Sequence, residues 1–176
     1  KSFIDDPQKG LSVTVTAAQN YDRYLNPLFE VIKNEEVIST IKNDDELFSC
    51  FLSLVVFINQ NEEEYRNSNL ADWFSIILNF LNDEESEENL LQIYCSLCYL
   101  RDACETKYPF KLPIEIMTTH LQFSCLQGKI LALFAEVEPE ELMDRNLISM
   151  LFKISEKNEN LKSTLILMKL ANSSEN

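Results

Sequence analysis

Cys95 and Cys98, three residues apart, form the most motif-like string in the sequence. A zinc site uses four ligands, usually two such pairs held in turns, whereas this pair falls within an apolar helical run. The other candidates, Cys104, Cys125 and His120, have no regular ligand spacing. A redox pair is expected at a helix N-terminus, where the dipole lowers a thiol pKa. We therefore interpret the five cysteines as buried, reduced thiols of a cytoplasmic or nuclear protein, without a metal or cofactor.

The remaining residues with chemical potential do not form an enzymatic constellation. His120 is the only histidine, and we interpret it as an ordinary surface residue after Thr118 and Thr119, which are expected to cap a helix. Cys125 lies five residues further on, off the helix face of His120, so a cysteine–histidine pair is not expected. The acidic run 136–141 lacks the spacing of a calcium loop, and the chain's two glycines are too few for a phosphate-binding loop. We predict that the protein is not an enzyme.

The composition favours helices. The chain has 176 residues, of which 45% are apolar, with only two glycines and five prolines. A β-sandwich or barrel needs a tight turn about every 8–12 residues, so this supply of turn residues is too small. No apolar run reaches the roughly 18 residues that span a bilayer. The sequence therefore predicts an all-α protein.

The net charge of −14 is concentrated in the N-terminal half. Residues 1–88 carry 18 acidic and 6 basic side chains, whereas residues 89–176 carry 11 and 9. Lys and Arg are not clustered as nucleic-acid binding requires, and an anionic membrane surface would repel the chain. A basic partner is the natural complement, which makes an acidic receptor for basic peptides one alternative function.

An apolar stripe recurs along the chain at intervals of 33–42 residues. In its reference copy, successive apolar residues are 3, 4, 3 and 4 positions apart, which places all five on one helix face: Leu90, Ile93, Leu97, Leu100, Cys104. A shift of 33 places it on Phe123, Leu126, Ile130, Leu133 and Val137, and a shift of −42 on Phe48, Phe51, Val55 and Ile58. A shift of 71 finds a weaker fit at Leu161, Thr164, Met168 and Ala171. These copies predict long helices beginning near residues 46, 88, 120 and 159.

A shorter apolar helix is expected before each long one, and acidic runs mark the turns between them. We predict about eight helices in one domain, residues 21–176. Residues 1–20 are expected to form an extended arm, because Leu11, Val13, Val15 and Ala17 alternate with polar residues and have nothing obvious to pair with.

This alternation of short and long helices is similar to the armadillo/HEAT superfamily over roughly residues 24–173. The resemblance implies a superhelical stack whose long helices line a concave binding surface. Members of the importin-α type carry Trp and Asn four residues apart on successive long helices. The corresponding pairs here are Ser53/Phe57, Cys95/Tyr99, Gly128/Ala132 and Ile166/Leu170. None of these pairs is Trp and Asn, so the repeated Trp/Asn pattern is absent. A groove of small and apolar residues would suit an amphipathic helix better than a Lys-rich peptide.

The sequence therefore predicts a protein-interaction scaffold or adaptor that holds a partner helix or peptide with basic flanks. The groove is expected to use Phe57, Tyr99 and Ala132 as a row, with Arg101 and Gly128 beside it. An acidic rim of Glu84, Glu85, Glu87 and Glu88 would speed association. Gly128 would accommodate a neighbouring helix or a ligand backbone. A rival function is a structural segment of a longer helical-repeat assembly protein, motivated by the chain's start at Lys1 rather than Met.

Overall fold

The computed structural model describes residues 34–61, 74–82, 84, 86–102, 111–158 and 161–173. All regular secondary structure in these ranges is helical, and no strand occurs among them, which confirms the predicted all-α class. The predicted arm, residues 1–20, lies outside the described residues. The chain divides into two compact units, Lys1–Phe80 and Leu81–Asn176. The single domain predicted for residues 21–176 stays a prediction.

In the first unit, helix α1 (Glu35–Lys42) packs against helix α2 (Asp45–Asn61). Residues 74–79 are also helical and lead into a short 3-10 turn, Phe80–Asn82. The predicted stripe of α2 is buried at Phe48, Phe51 and Val55. The Phe80 ring meets Phe48 and Phe51 edge-on, with ring centroids 5.2 and 5.8 Å apart. These aromatic contacts join α2 to the segment 74–80 in the described part of the unit.

The second unit is a two-row arrangement of helices. Its elements are α3 (Glu87–Asp102), α4 (Ile114–His120), α5 (Ser124–Phe134), a 3-10 turn (Pro139–Leu142), α6 (Arg145–Asn158) and α7 (Leu161–Ser173). Helix α5 packs between α3 and α7 in one row, and the shorter α4 packs against α6 in the other. The predicted order of a shorter helix before a longer one holds for α4 (7 residues) and α5 (11 residues) but is wrong for α6 (14 residues) and α7 (13 residues). The packing of these helices is compatible with a helical-repeat fold. The long-helix starts at 45, 87, 124 and 161 lie within four residues of those predicted.

Helix starts are set by side chains that accept backbone hydrogen bonds. Asp44 Oδ1 accepts from Leu47 N at 3.0 Å before α2, and Asp144 Oδ1 accepts from Leu147 N at 2.8 Å before α6. Ser86 Oγ accepts from Asn89 N at 3.4 Å before α3.

One capping prediction is wrong: Thr118 and Thr119 lie inside α4 and do not cap the next helix. Helix α5 begins after Phe123, which makes no side-chain cap hydrogen bond. The Thr118 and Thr119 hydroxyls donate instead to the carbonyls of Ile114 and Ile116 in their own helix, at 2.7 Å each. Threonine can bond to its own backbone in this way, which makes it an ambiguous helix-start signal.

Among the described residues, the apolar stripe is confirmed in three copies and wrong in the fourth; Cys104 and the side chain of Ile58 lie outside the described part of the chain. Leu90, Ile93, Leu97 and Leu100 are buried, and the copies on α2 and α5 are largely buried as well. In α7 the buried residues are Ser163, Ile166 and Leu170, two positions later than the predicted stripe. All four predicted residues, Leu161, Thr164, Met168 and Ala171, are exposed. The count of apolar residues predicts that Leu161 and Met168 are the buried side chains. In the structure the small Ser163 is buried instead.

Candidate functional site

The row formed by α3, α5 and α7 contains a groove of about 280 Å³, which we call the long-helix groove. It brings together the predicted site residues Arg101 and Ala132. Its lining residues come from α3, α5, α7 and the turn after α5: Arg101, Ala132, Ala135, Glu136, Lys162, Leu165, Ile166 and Lys169. Two of the lining residues are alanines, whose small side chains leave room for those of an incoming segment.

Arg101 joins α3 to α5. Its Nη1 donates to the Ala132 carbonyl at 3.1 Å, its Nε donates to Asp102 Oδ1 at 2.7 Å, and Nη2 forms an ion pair with the same carboxylate. One turn earlier, the Cys98 thiol approaches the Lys129 carbonyl at 3.8 Å. Both contacts join residues 31 apart, close to the predicted repeat of 33.

Two lysines on α7 reach back to α5. Lys169 Nζ donates to the carbonyls of Ala135 at 3.3 Å and Val137 at 2.6 Å, which lie at the carboxyl end of α5. Lys162 Nζ donates to the Gly128 carbonyl at 3.5 Å. An ammonium group suits the negative end of a helix dipole, so Lys169 stabilises the end of α5 while its charge remains at the groove.

The solvent side of α7 carries an apolar ridge made of Leu161, Leu165 and Met168. Their exposed fractions are 70%, 53% and 58%. The spacing i, i+4, i+7 puts all three on one face of the helix, and Leu165 also lines the groove. Tyr99 on α3 is 49% exposed but is not among the residues that line the long-helix groove, so its predicted binding contact stays a prediction. A contiguous apolar face of this kind is a typical feature of interaction sites.

The structure tests the prediction made for Gly128 but not the one made for Phe57. A Cβ added to Gly128 would meet nothing within 4 Å, so a close neighbouring helix does not explain this glycine. That half of the prediction is wrong, because the residue lies on the exposed face of α5. Phe57 lies in α2, and its side chain is outside the part of the chain that the structure describes.

The predicted acidic rim is only partly available to a partner. Glu84 accepts a hydrogen bond from Ser86 N at 2.7 Å and another from the Asn89 amide at 3.4 Å, so it shapes the start of α3. Glu87 and Glu88 are exposed in the first turn of α3. Glu85 lies outside the described residues. Glu87 also accepts from the Cys125 thiol at 2.8 Å.

The interpretation of every cysteine as buried is wrong for Cys125, which is exposed. Its hydrogen bond to the Glu87 carboxylate raises the pKa of the Cys125 thiol. Cys98 is buried, and burial raises its thiol pKa. Cys50 and Cys95 are half-buried, and the four described cysteines are free thiols. No group of three or more possible metal ligands occurs among the described residues.

His120 is buried and not a surface residue, which corrects the prediction. Its Nδ1 lies 2.8 Å from the Tyr94 hydroxyl oxygen, and the two rings meet edge-on. Burial lowers the pKa of His120 and raises that of Tyr94. Both side chains are therefore neutral at pH 7, and the pair serves as a buried polar contact between α3 and α4. Tyr94 was missed because nothing in the local sequence links it to a residue 26 positions away.

The second unit has another surface depression. It extends along α4 and the start of α6 as two adjoining pockets of about 550 and 730 Å³, which share Glu115 and Asp144. Lys111 and Lys153 lie toward its two ends, and Met143 is its most exposed apolar side chain. Its charges are mixed, and it contains none of the predicted site residues.

No helix in the described ranges is long and apolar enough to cross a membrane. No family model matches the chain, and neither a curated protein nor a solved structure is significantly similar to it.

Proposed function

We propose that this chain is a non-enzymatic protein-interaction scaffold with an armadillo-like stack, and that it binds a helix or peptide of a partner along the long-helix groove. The observation that carries the proposal is the ridge of Leu161, Leu165 and Met168 beside a groove that is lined in part by two alanines. A partner helix whose own apolar residues repeat at i, i+3 or i+4 and i+7 has an apolar face of matching length that could cover this ridge. Free thiols at the described cysteines fit a cytoplasmic or nuclear location.

The test compares two variants that place the same charge on different exposed apolar residues. Leu165 on α7 and Phe152 on α6 are 53% and 54% exposed, and only Leu165 lines the long-helix groove. Leu165→Glu should remove the partners that the wild-type chain retains in quantitative affinity purification, because a carboxylate would be desolvated against the partner's apolar face. Phe152→Glu should retain them. Circular dichroism melts establish that both variants are folded.

Equal retention by wild type and Leu165→Glu would contradict the use of this groove. Tyr99→Ala provides a second measurement. Tyr99 is exposed but is not among the residues that line the groove, and its loss should weaken binding of a partner that extends across α3 by about 1–3 kcal/mol, with little dependence on salt.

A further inference from the structure

We infer that a second docking site lies in the depression along α4 and the start of α6, which we call the α4–α6 groove. Its occupant is an extended segment of another protein that carries an arginine and, about four residues away, a carboxylate. The α4–α6 groove and the long-helix groove share no lining residue, so this site goes beyond the proposed function and does not depend on it.

The charges in the α4–α6 groove are separated along it and are not paired with one another. Its two pockets, of about 550 and 730 Å³, share the carboxylates Glu115 and Asp144, whereas Lys111 and Lys153 line one pocket each. Glu141 adds a third carboxylate to the first pocket. All five residues belong to the described part of the chain, and no ion pair joins either lysine to any of these carboxylates. A segment with the reverse order of charges, positive at the junction of the pockets and negative beside it, is the complement of this groove.

An arginine fits the junction of the two pockets better than a lysine does. The carboxylates there come from two elements, Glu115 from the first turn of α4 and Asp144 from the residue before α6. Asp144 uses Oδ1 to cap α6 and keeps its second oxygen for another donor. A guanidinium presents five donors in one plane and can bond to two carboxylates at once, whereas an ammonium acts as a point charge. Charge-assisted hydrogen bonds of this kind are about twice as strong as neutral ones.

The positions of Asp144 and Lys153 determine the spacing of the partner's charges. The two residues are nine positions apart along α6, which corresponds to about 13.5 Å at the rise of an α-helix. This separation is far beyond the reach of an ion pair, so each charge needs its own counterpart. An extended chain advances about 3.3 Å per residue and covers the distance in about four residues. A segment that places its arginine on Asp144 therefore meets Lys153 with a carboxylate about four residues further along.

The lining of the second pocket suits a peptide backbone. Gln122, Asn146 and Ser149 line it, and none of their side chains forms a hydrogen bond with the described residues. Amide and hydroxyl groups of this kind can donate to and accept from a peptide backbone. In the first pocket, Met143 is 52% exposed and offers an apolar contact. Nucleic acids and anionic membranes do not fit, because the carboxylates at the junction repel phosphates.

A displayed library of random linear peptides, selected on the immobilised full chain, tests the inference. Groove-dependent peptides are those lost on Glu115→Gln and retained on Glu88→Gln, which removes the same charge from the first turn of another helix. They should be enriched in an arginine with Asp or Glu about four residues away, and they should be retained on Leu165→Glu. Enrichment that lacks either charge, or the absence of any groove-dependent peptide, overturns the inference. None of these outcomes decides whether the long-helix groove binds a partner. Circular dichroism melts establish that the variants are folded.

An enriched peptide then locates both contacts. Citrulline in place of its arginine keeps the shape, removes the charge and should weaken binding roughly fivefold or more in fluorescence anisotropy, with a smaller loss on Glu115→Gln. Lys153→Gln should weaken the peptide roughly two- to fivefold, whereas Lys157→Gln, on the same helix but outside both pockets, should not. Both losses should shrink as salt is raised. Equal effects of the two lysine variants would contradict the carboxylate contact. Competition by free L-arginine or spermidine at the peptide's own affinity would overturn the assignment to an extended segment.

Discussion

The buried hydrogen bond between Tyr94 and His120 should be essential for the stability of the second unit. Tyr94→Phe removes only the hydroxyl and keeps the ring, so the edge-on packing against His120 remains. The variant loses a hydrogen bond worth about 0.5–1.5 kcal/mol and leaves the imidazole nitrogen unpaired, at a cost of roughly 1–3 kcal/mol. We expect the free energy of unfolding to fall by about 1–3 kcal/mol, a large part of a typical domain's stability.

The same contact predicts a pH dependence. The folded-state pKa of His120 lies below its ordinary value of 6.5 because burial disfavours the imidazolium. As the pH falls below about 6.5, the unfolded chain takes up a proton that the folded chain resists, so the free energy of unfolding decreases. The loss stops growing once the pH is below the folded-state pKa. His120 is the only histidine, so no other side chain with an ordinary pKa titrates near pH 6.

Urea unfolding followed by circular dichroism at pH 7.5, 6.5 and 5.5 measures both effects. Tyr99→Phe is the matched control, because it removes the hydroxyl of an exposed tyrosine on the same helix and should cost little. His120→Gln should flatten the pH dependence between 7.5 and 5.5. The reasoning is refuted if Tyr94→Phe is no more destabilising than Tyr99→Phe, or if wild type and His120→Gln lose stability equally over this range.

Three further predictions follow from local geometry. Gly128→Ala should raise the free energy of unfolding by about 0.5–1 kcal/mol in urea titrations, because the added methyl enters open space on a helix. Asp144→Ala should lower it by about 0.5–2 kcal/mol through loss of the cap on Leu147 N; an unchanged midpoint would contradict this. Glu87→Gln should speed the reaction of Cys125 with a maleimide at pH 7, because removing the carboxylate lowers the thiol pKa; mass spectrometry of the labelled peptide follows the rate.

The helical class and the stripes of α2, α3 and α5 were predictable because each depends on periodicity within one helix. Leu90, Ile93 and Leu97 repeat every three or four residues, and burying them requires no knowledge of what packs against them. The Tyr94–His120 contact and the exposure of Cys125 were not predictable in this way. Both depend on how α3 lies against α4 and α5, and a local pattern contains no information about partners 26 or 38 residues away.

The groove was partly predictable. The repeat offset paired Tyr99 with Ala132 and left Arg101 beside that row, whereas the structure joins Arg101 to Ala132 by a hydrogen bond. The lysines of α7 were missed because the fourth stripe was read two residues too early. The same error put Leu170 at a groove position, whereas it is buried and does not line the groove; Ile166 is buried as well but does line it. When the register is moved by two residues, Met168 takes the position equivalent to Cys95 and Gly128. Met168 is exposed on the ridge.

That error also indicates why α7 is the best candidate for a binding helix. A helix that packs on one side needs a single apolar stripe, but α7 has two: Ile166 and Leu170 face the core, and Leu161, Leu165 and Met168 face solvent. Fully burying an exposed Leu or Met side chain contributes about 1.5–3 kcal/mol, so a partner that covered the half-exposed ridge would gain a few kcal/mol from it. The first stripe is explained by packing on α5 and α6. The second is exposed in the described part of the chain, which is why the proposed partner is placed on it.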